Sequence, residues 1–154
     1  MCINCTSISN KEDTYVASAC EQANKSNALY KHGCIAILNG KIIARGFNHA
    51  RTRCRYNIID NPCSCHAEMD VLKKCLKILS LKQLKKVTLC VVRMSTGGHV
   101  VSSIPCYFCT KQIKKYNIKK IIYSDENGDL KINKITNFES NYITYANNKF
   151  KITQ

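Results

Sequence analysis

The chain reads as an α/β protein, a three-layer α/β/α sandwich around one central mixed five-stranded sheet. Three observations predict this. Apolar residues recur at helical spacing in three segments, Asn10 to Tyr30, His66 to Leu79 and Pro105 to Tyr116. Short apolar runs rich in β-branched residues lie between and after them. Two Asn-Gly pairs, Asn39-Gly40 and Asn127-Gly128, separate such runs, and Asn-Gly is the strongest short hairpin signal.

The elements follow in order. Tyr15, Val16, Ala19, Cys20 and Ala23 fall on one face of a first helix, with Ser9 or Asn10 as its cap. Cys34 to Leu38 and Ile42 to Phe47 form a hairpin through Asn39-Gly40. Arg51 to Cys63 is polar, carries three arginines and a proline, and reads as a loop. From His66, the residues Val71, Leu72, Cys75, Leu76 and Leu79 share a face, while Lys73, Lys74 and Lys77 lie off it. Val87 to Val92 is a third strand, apolar enough to be central. Met94 to Ile104 is a loop or short hairpin around Gly97-Gly98. Pro105 starts a third helix, where proline suits the first turn, with Cys109, Ile113 and Tyr116 on one face. Lys111, Lys114 and Lys115 lie off that face, and Asn117 can close the helix in a left-handed conformation. Ile118 to Tyr123 is a fourth strand, and Leu130 to Ile132 returns beside it. Phe138 to Phe150 adds a helix or a strand.

The 154 residues suit one domain, 1–154, with a core of 12–135 and ends at 1–10 and 136–154 outside it. No apolar run reaches membrane-spanning length, and Met1 to Lys11 lacks the pattern of a secretory signal. A cytoplasmic protein is expected. The 11 cysteines then suit metal ligands and buried thiols rather than disulfides. Cys34, Cys75 and Cys90 sit within apolar patterns and read as small core residues. The formal charge of +14 suits a nucleic acid or a phosphorylated small molecule, or else a set of solvated helix faces.

Two short motifs carry chemistry. His66-Ala67-Glu68 opens the second helix, and Pro105-Cys106-Tyr107-Phe108-Cys109 opens the third. Cys106 and Cys109 are three apart and face the same side. Near a helix start the positive end of the dipole favours thiolate, the form that binds metal. One histidine and two cysteines suit Zn²⁺, and three protein ligands leave a fourth tetrahedral position for water. Water bound there can ionise near neutrality. Glu68, two residues after the histidine, is placed to carry protons.

In full, these motifs resemble the His-x-Glu and Pro-Cys-x-x-Cys signature of the zinc nucleobase deaminases, the cytidine/deoxycytidylate deaminase superfamily. The resemblance covers Tyr15 to Asp125 and includes the element order. It implies a zinc ion held by His66, Cys106 and Cys109, with Glu68 as the catalytic proton carrier. It implies that the backbone at Ala67 binds the base and that Asn48, in Gly46-Phe47-Asn48, contacts the sugar. The reaction implied is hydrolytic deamination, most directly of cytosine in a free nucleotide or nucleoside. The alternatives are base editing on RNA or single-stranded DNA and, from another class, a non-catalytic zinc-stabilised nucleic-acid-binding module. Histidine as first ligand resembles the deoxycytidylate, tRNA-adenosine and polynucleotide enzymes. The turn at Asn127-Gly128 resembles instead the antiparallel end of the nucleoside enzymes. The segment Met94 to Ile104 is longer than the family's usual link. Relatives often form homo-oligomers, so self-association is expected.

Other residues have two readings each. Cys63 or Cys65 could close the zinc site as a fourth ligand and make it structural. Cys54, Cys63 and Cys65 could build a second zinc site, which the resemblance allows, or remain free thiols. Arg51, Arg53 and Arg55 could hold a substrate phosphate or stay solvated. His99, His32 and His49 could meet substrate; for His99 an exposed turn is favoured. Tyr107 could stack on a base, and Phe108 reads as core.

Overall fold

A computed structural model describes residues 10–50 and 65–143. Helix α1 spans Asn10–Asn24, strands β1 and β2 span Lys31–Leu38 and Lys41–Phe47, and helix α2 spans Ala67–Ile78. A short helix α3, Leu81–Leu84, leads into β3, Thr88–Met94, and β4, Val100–Val101. Helix α4, Tyr107–Lys115, is followed by β5, Lys120–Ser124, and β6, Leu130–Lys134. A single 3₁₀ turn, Ile135–Asn137, follows.

The sheet runs β2-β1-β3-β5-β6, with β4 paired to β3. It is mixed, as expected: β3 and β5 are parallel and every other pairing is antiparallel. The segment after Met94 supplies β4 as a short sixth strand. The last strands turn back antiparallel, as the Asn127-Gly128 turn predicts.

The first hairpin shows how local sequence fixes register. Asn39 and Gly40 both take positive φ, 52° and 79°, the pair of left-handed residues that a tight type I′ turn needs. A bulge between the Ala36–Ala44 and Ile37–Ile42 pairs leaves Ile43 as the extra residue of β2.

Alternation along β1 and β3 divides the core into two layers. Ile35, Ile37, Cys90 and Val92 face α1, where they meet Val16, Ala19 and Ala23. Cys34, Ala36, Leu89 and Val91 face the other way, toward Val71, Leu72 and Cys75 of α2 and Cys109 and Ile113 of α4. Each fully buried branched side chain contributes roughly 1.5–3 kcal/mol. On the α1 side the approach is close. A β-carbon on Gly33 would lie 2.0 Å from the Ala19 carbonyl oxygen, so only glycine lets the helix rest on the strand backbone.

Several boundaries differ from the sequence reading. Helix α1 stops at Asn24 rather than Tyr30, because Ser26 turns the chain toward β2 and donates to the Asn48 carbonyl at 2.9 Å. Pro105 lies outside α4, two residues before its first helical residue, and Cys106 occupies the cap. Strand β5 begins at Lys120; Asn117, with φ of 55°, closes α4 in the left-handed conformation expected of it. Phe138 to Ile143 forms neither helix nor strand, and the rest of that predicted element lies outside the described residues, as does Ser9. No helix among the described residues is long and apolar enough to cross a membrane.

Candidate metal centre

The two helices on the inner face bring their starts together. His66 is the cap residue of α2 and Cys106 that of α4. His66 Nδ1 lies 3.2 Å from Cys109 Sγ and 3.5 Å from Cys106 Sγ. A tetrahedral zinc ion with bonds of about 2.0–2.1 Å to nitrogen and 2.3 Å to sulfur sets its ligands about 3.6 Å apart. The three donors therefore fit that ion. Both cysteines are buried, and Cys106 also accepts a hydrogen bond from the Cys109 amide at 3.4 Å.

The electrostatics point the same way. The hydrogen bond from Cys109 pulls the Cys106 thiol well below its ordinary value, and His66 adds to the effect. That bond and burial push Cys109 up. For His66, burial is outweighed by the hydrogen bond to Cys106 and by the charges of Cys106 and Glu68, so its pKa rises. A divalent cation held here would replace the shared proton and keep both sulfurs as thiolates.

Glu68 stands in the first turn of α2 with 4% of its surface exposed. Burial raises its carboxyl pKa, against the opposing charge of His66. A carboxyl poised upward in this way can both take and return a proton.

Cys65 does not join this trio. Its sulfur groups with His49 and Asp70, whose donor atoms lie within 4.8 Å of one another and could also hold a metal ion. Asp70 already faces His49 Nε2 at 3.3 Å, Lys73 at 3.6 Å and Lys74 at 3.0 Å. Among the described residues the first cluster offers three candidate donors, His66, Cys106 and Cys109. Cys54, Cys63, Arg51, Arg53 and Arg55 lie outside the described residues.

Asn48 sits beside the centre, nearly buried. Its Oδ1 accepts from the His32 amide at 2.9 Å, and its Nδ2 donates to the Tyr30 carbonyl at 2.7 Å. The side chain thus clamps the entry to β1. Ala67 is fully buried as the first residue of α2. His99 is exposed in the β3–β4 turn, where its amide donates to Ser95 Oγ at 3.1 Å. Phe108 corrects the sequence reading. It is 38% exposed and stacks edge-on with Tyr107, because the buried face of α4 is Cys109, Thr110 and Ile113.

Sequence reasoning missed the supports of the Pro-Cys-x-x-Cys segment. Ser103 donates to the Val91 carbonyl at 2.9 Å and lies 2.8 Å from the Ser124 hydroxyl. Ser140 donates to the Pro105 carbonyl at 2.6 Å, and the Tyr107 amide donates to the Tyr142 carbonyl at 2.7 Å. These contacts cross long stretches of chain, and no local pattern announces them.

A family profile described as the cytidine and deoxycytidylate deaminase zinc-binding region matches residues 9–125. The chain belongs to this family. Zinc is the family's metal, and His66, Cys106 and Cys109 are the donors that fit it. Among curated protein sequences none matches the chain. Solved structures do. The apo dCMP deaminase of cyanophage S-TIM5 is similar with a TM-score of 0.55 at 29% identity, over 75% of this chain and 82% of that one. The same enzyme in complex with dCMP and dUMP gives 0.50 at 23% identity, over 75% and 82%. Cytidine deaminase from Burkholderia pseudomallei gives 0.58 at 17% identity, over 80% and 91%, a likeness of fold.

Proposed function

We propose that this deaminase hydrolyses the exocyclic amine of cytosine in a free nucleotide or nucleoside, releasing ammonia and leaving uracil. One observation carries the reading: a buried, proton-poised Glu68 stands two residues from His66, whose Nδ1 lies within 3.5 Å of two cysteine sulfurs. The similarity to a dCMP deaminase supports the substrate class.

Bound zinc supplies Lewis-acid activation of the attacking water. The rest falls to the chain. Glu68 takes a proton from that water and delivers it to the ring nitrogen next to the amine-bearing carbon. The water oxygen adds to that carbon; Glu68 then takes the remaining hydroxyl proton and passes it to the amine, so that ammonia leaves as the carbon–nitrogen bond breaks and the carbonyl forms. The buried backbone at Ala67 meets the base, and Asn48 fixes the edge on which the sugar rests. We also propose that the protein self-associates, as the family resemblance implies, and sedimentation velocity tests it.

Ammonia release from zinc-loaded protein tests the reading. The panel is cytidine, deoxycytidine, CMP, dCMP, adenosine, guanine, single-stranded DNA and a tRNA pool. Free cytosine nucleotides or nucleosides should turn over, and Glu68→Ala should lower kcat by about 10²–10⁴ while retaining zinc. Wild-type turnover in that variant overturns the reading.

A further inference from the structure

The start of β1 and the ends of β2 and β3 lie side by side, with His32 among them within electrostatic reach of His66. Leu89 and Val91 of β3 face α2 and α4, so the alternation of the strand puts Arg93 on that same face. Arg93 pairs across the sheet with His32 of β1, and the His32 amide is held by Asn48 at the end of β2. Asn48, His32 and Arg93 thus form a row beside His66.

Arg93 is ill matched to its present neighbours. Its Nε is buried and has no hydrogen-bond partner among the described residues. Its guanidinium lies over the Tyr30 ring at 4.7 Å, which holds the plane of the fork but accepts none of its protons. A buried donor without an acceptor is costly, and a charged one more so. His32 adds no second charge. Burial brings its pKa down to about 4. The row therefore carries one half-buried cation with an unpartnered donor, the kind of group that binds an anionic oxygen.

We propose that Arg93 is a specificity-determining residue that receives the phosphate of a nucleoside monophosphate, so that the enzyme prefers the nucleotide to the nucleoside. Tyr30 keeps the guanidinium in plane, and Asn48 ties the Tyr30 and His32 backbones to the same frame. This inference rests on the deaminase reading above and narrows it.

The experiment has two arms. In the first, kcat/KM is measured for dCMP and deoxycytidine with zinc-loaded wild type, Arg93→Gln and Arg93→Lys. Wild type should favour dCMP. The dCMP-to-deoxycytidine ratio should fall at least about tenfold in Arg93→Gln and less in Arg93→Lys, which keeps charge but loses the fork. Lys111→Gln, which removes an exposed charge from α4, should leave the ratio unchanged. In the second arm, calorimetry measures Kd for dCMP and deoxycytidine on the zinc-loaded Glu68→Ala protein with and without Arg93→Gln. Inorganic phosphate should compete with dCMP only when Arg93 is present. Equal losses for both substrates would mean that Arg93 reads the base or supports the fold, and the proposal is overturned. An unchanged ratio overturns it as well. If neither substrate is deaminated but dCMP binding still depends on Arg93, the deamination reading fails and the phosphate subsite stands.

Discussion

Gly46 and Asp70 meet with no room for a side chain between them. A β-carbon on Gly46 would lie 2.5 Å from Asp70 Oδ2 and 2.9 Å from Val71 Cγ2. Strand β2 and the ligand-bearing end of α2 are joined at this point. Lys74 adds a hydrogen bond to the Arg45 carbonyl at 2.6 Å. His49 and Cys65 exchange backbone hydrogen bonds of 3.1 and 2.7 Å one residue before His66. The position of His66 is thus inherited from β2.

Gly46→Ala should push α2 away from the strand. The Asp70 carboxylate is held by two lysines and a histidine and cannot swing aside cheaply. The expected loss is roughly 1–3 kcal/mol in denaturant unfolding, as for other overpacked sites. Zinc affinity should fall with it, since His66 moves with the helix. A variant as stable as the parent would show that the strand–helix contact yields freely.

Asp70 gives a pH dependence with a definite sign. Burial alone would raise its carboxyl, but Lys74 and then His49 outweigh burial and set it below its ordinary value of 3.8. A depressed carboxyl contributes stability that is complete above the unfolded pKa, near 3.8, and is lost as pH falls through the lower folded value. Asp70→Asn should therefore be less stable than the parent at about pH 7, and the gap should close in acid below about pH 4. Urea unfolding of both proteins, stripped of metal, checks this across the range. A gap that stays constant with pH counts against the ion pairs.

Loss of a metal ligand should be read first in metal content. Cys109→Ser should hold far less zinc after dialysis, and its thermal unfolding should become insensitive to chelator. The parent protein should lose stability on chelation, because an ion that binds only the folded chain stabilises it by mass action. Equal melting of parent and variant with and without chelator would leave the trio without a metal.

The sequence foreshadowed the parts of this fold that depend on neighbouring residues. Asn39-Gly40 needs two positive φ values and found them, and the helical spacing of Val71, Leu72 and Cys75 placed α2 on its core face. The trio His66, Cys106 and Cys109 was legible because each motif lies within five residues at the start of a helix. What escaped depends on contacts distant in the chain. Arg93 ends a strand that looks apolar, and its place beside the centre comes from cross-strand register with His32. Ser140 reaches Pro105 across 35 positions. Phe108 was misjudged because residue type suggested burial, whereas its angle on α4, one step from Cys109, left it at the surface.

The helix caps carry a consequence of their own. Ser80 closes α3 with a complete capping box. His66, at the same position of the longer α2, makes no side-chain hydrogen bond to its helix and turns its ring across to the cysteines instead. Helix α2 thus begins without a capping bond from its own cap residue, the bond that commonly quiets a first turn. The Glu68 carboxyl takes a hydrogen bond from its own amide, so the helix start is served from within its first turn. The position that elsewhere carries a capping serine carries a candidate metal donor instead, so α2 gives up a cap to present the imidazole to the cysteines.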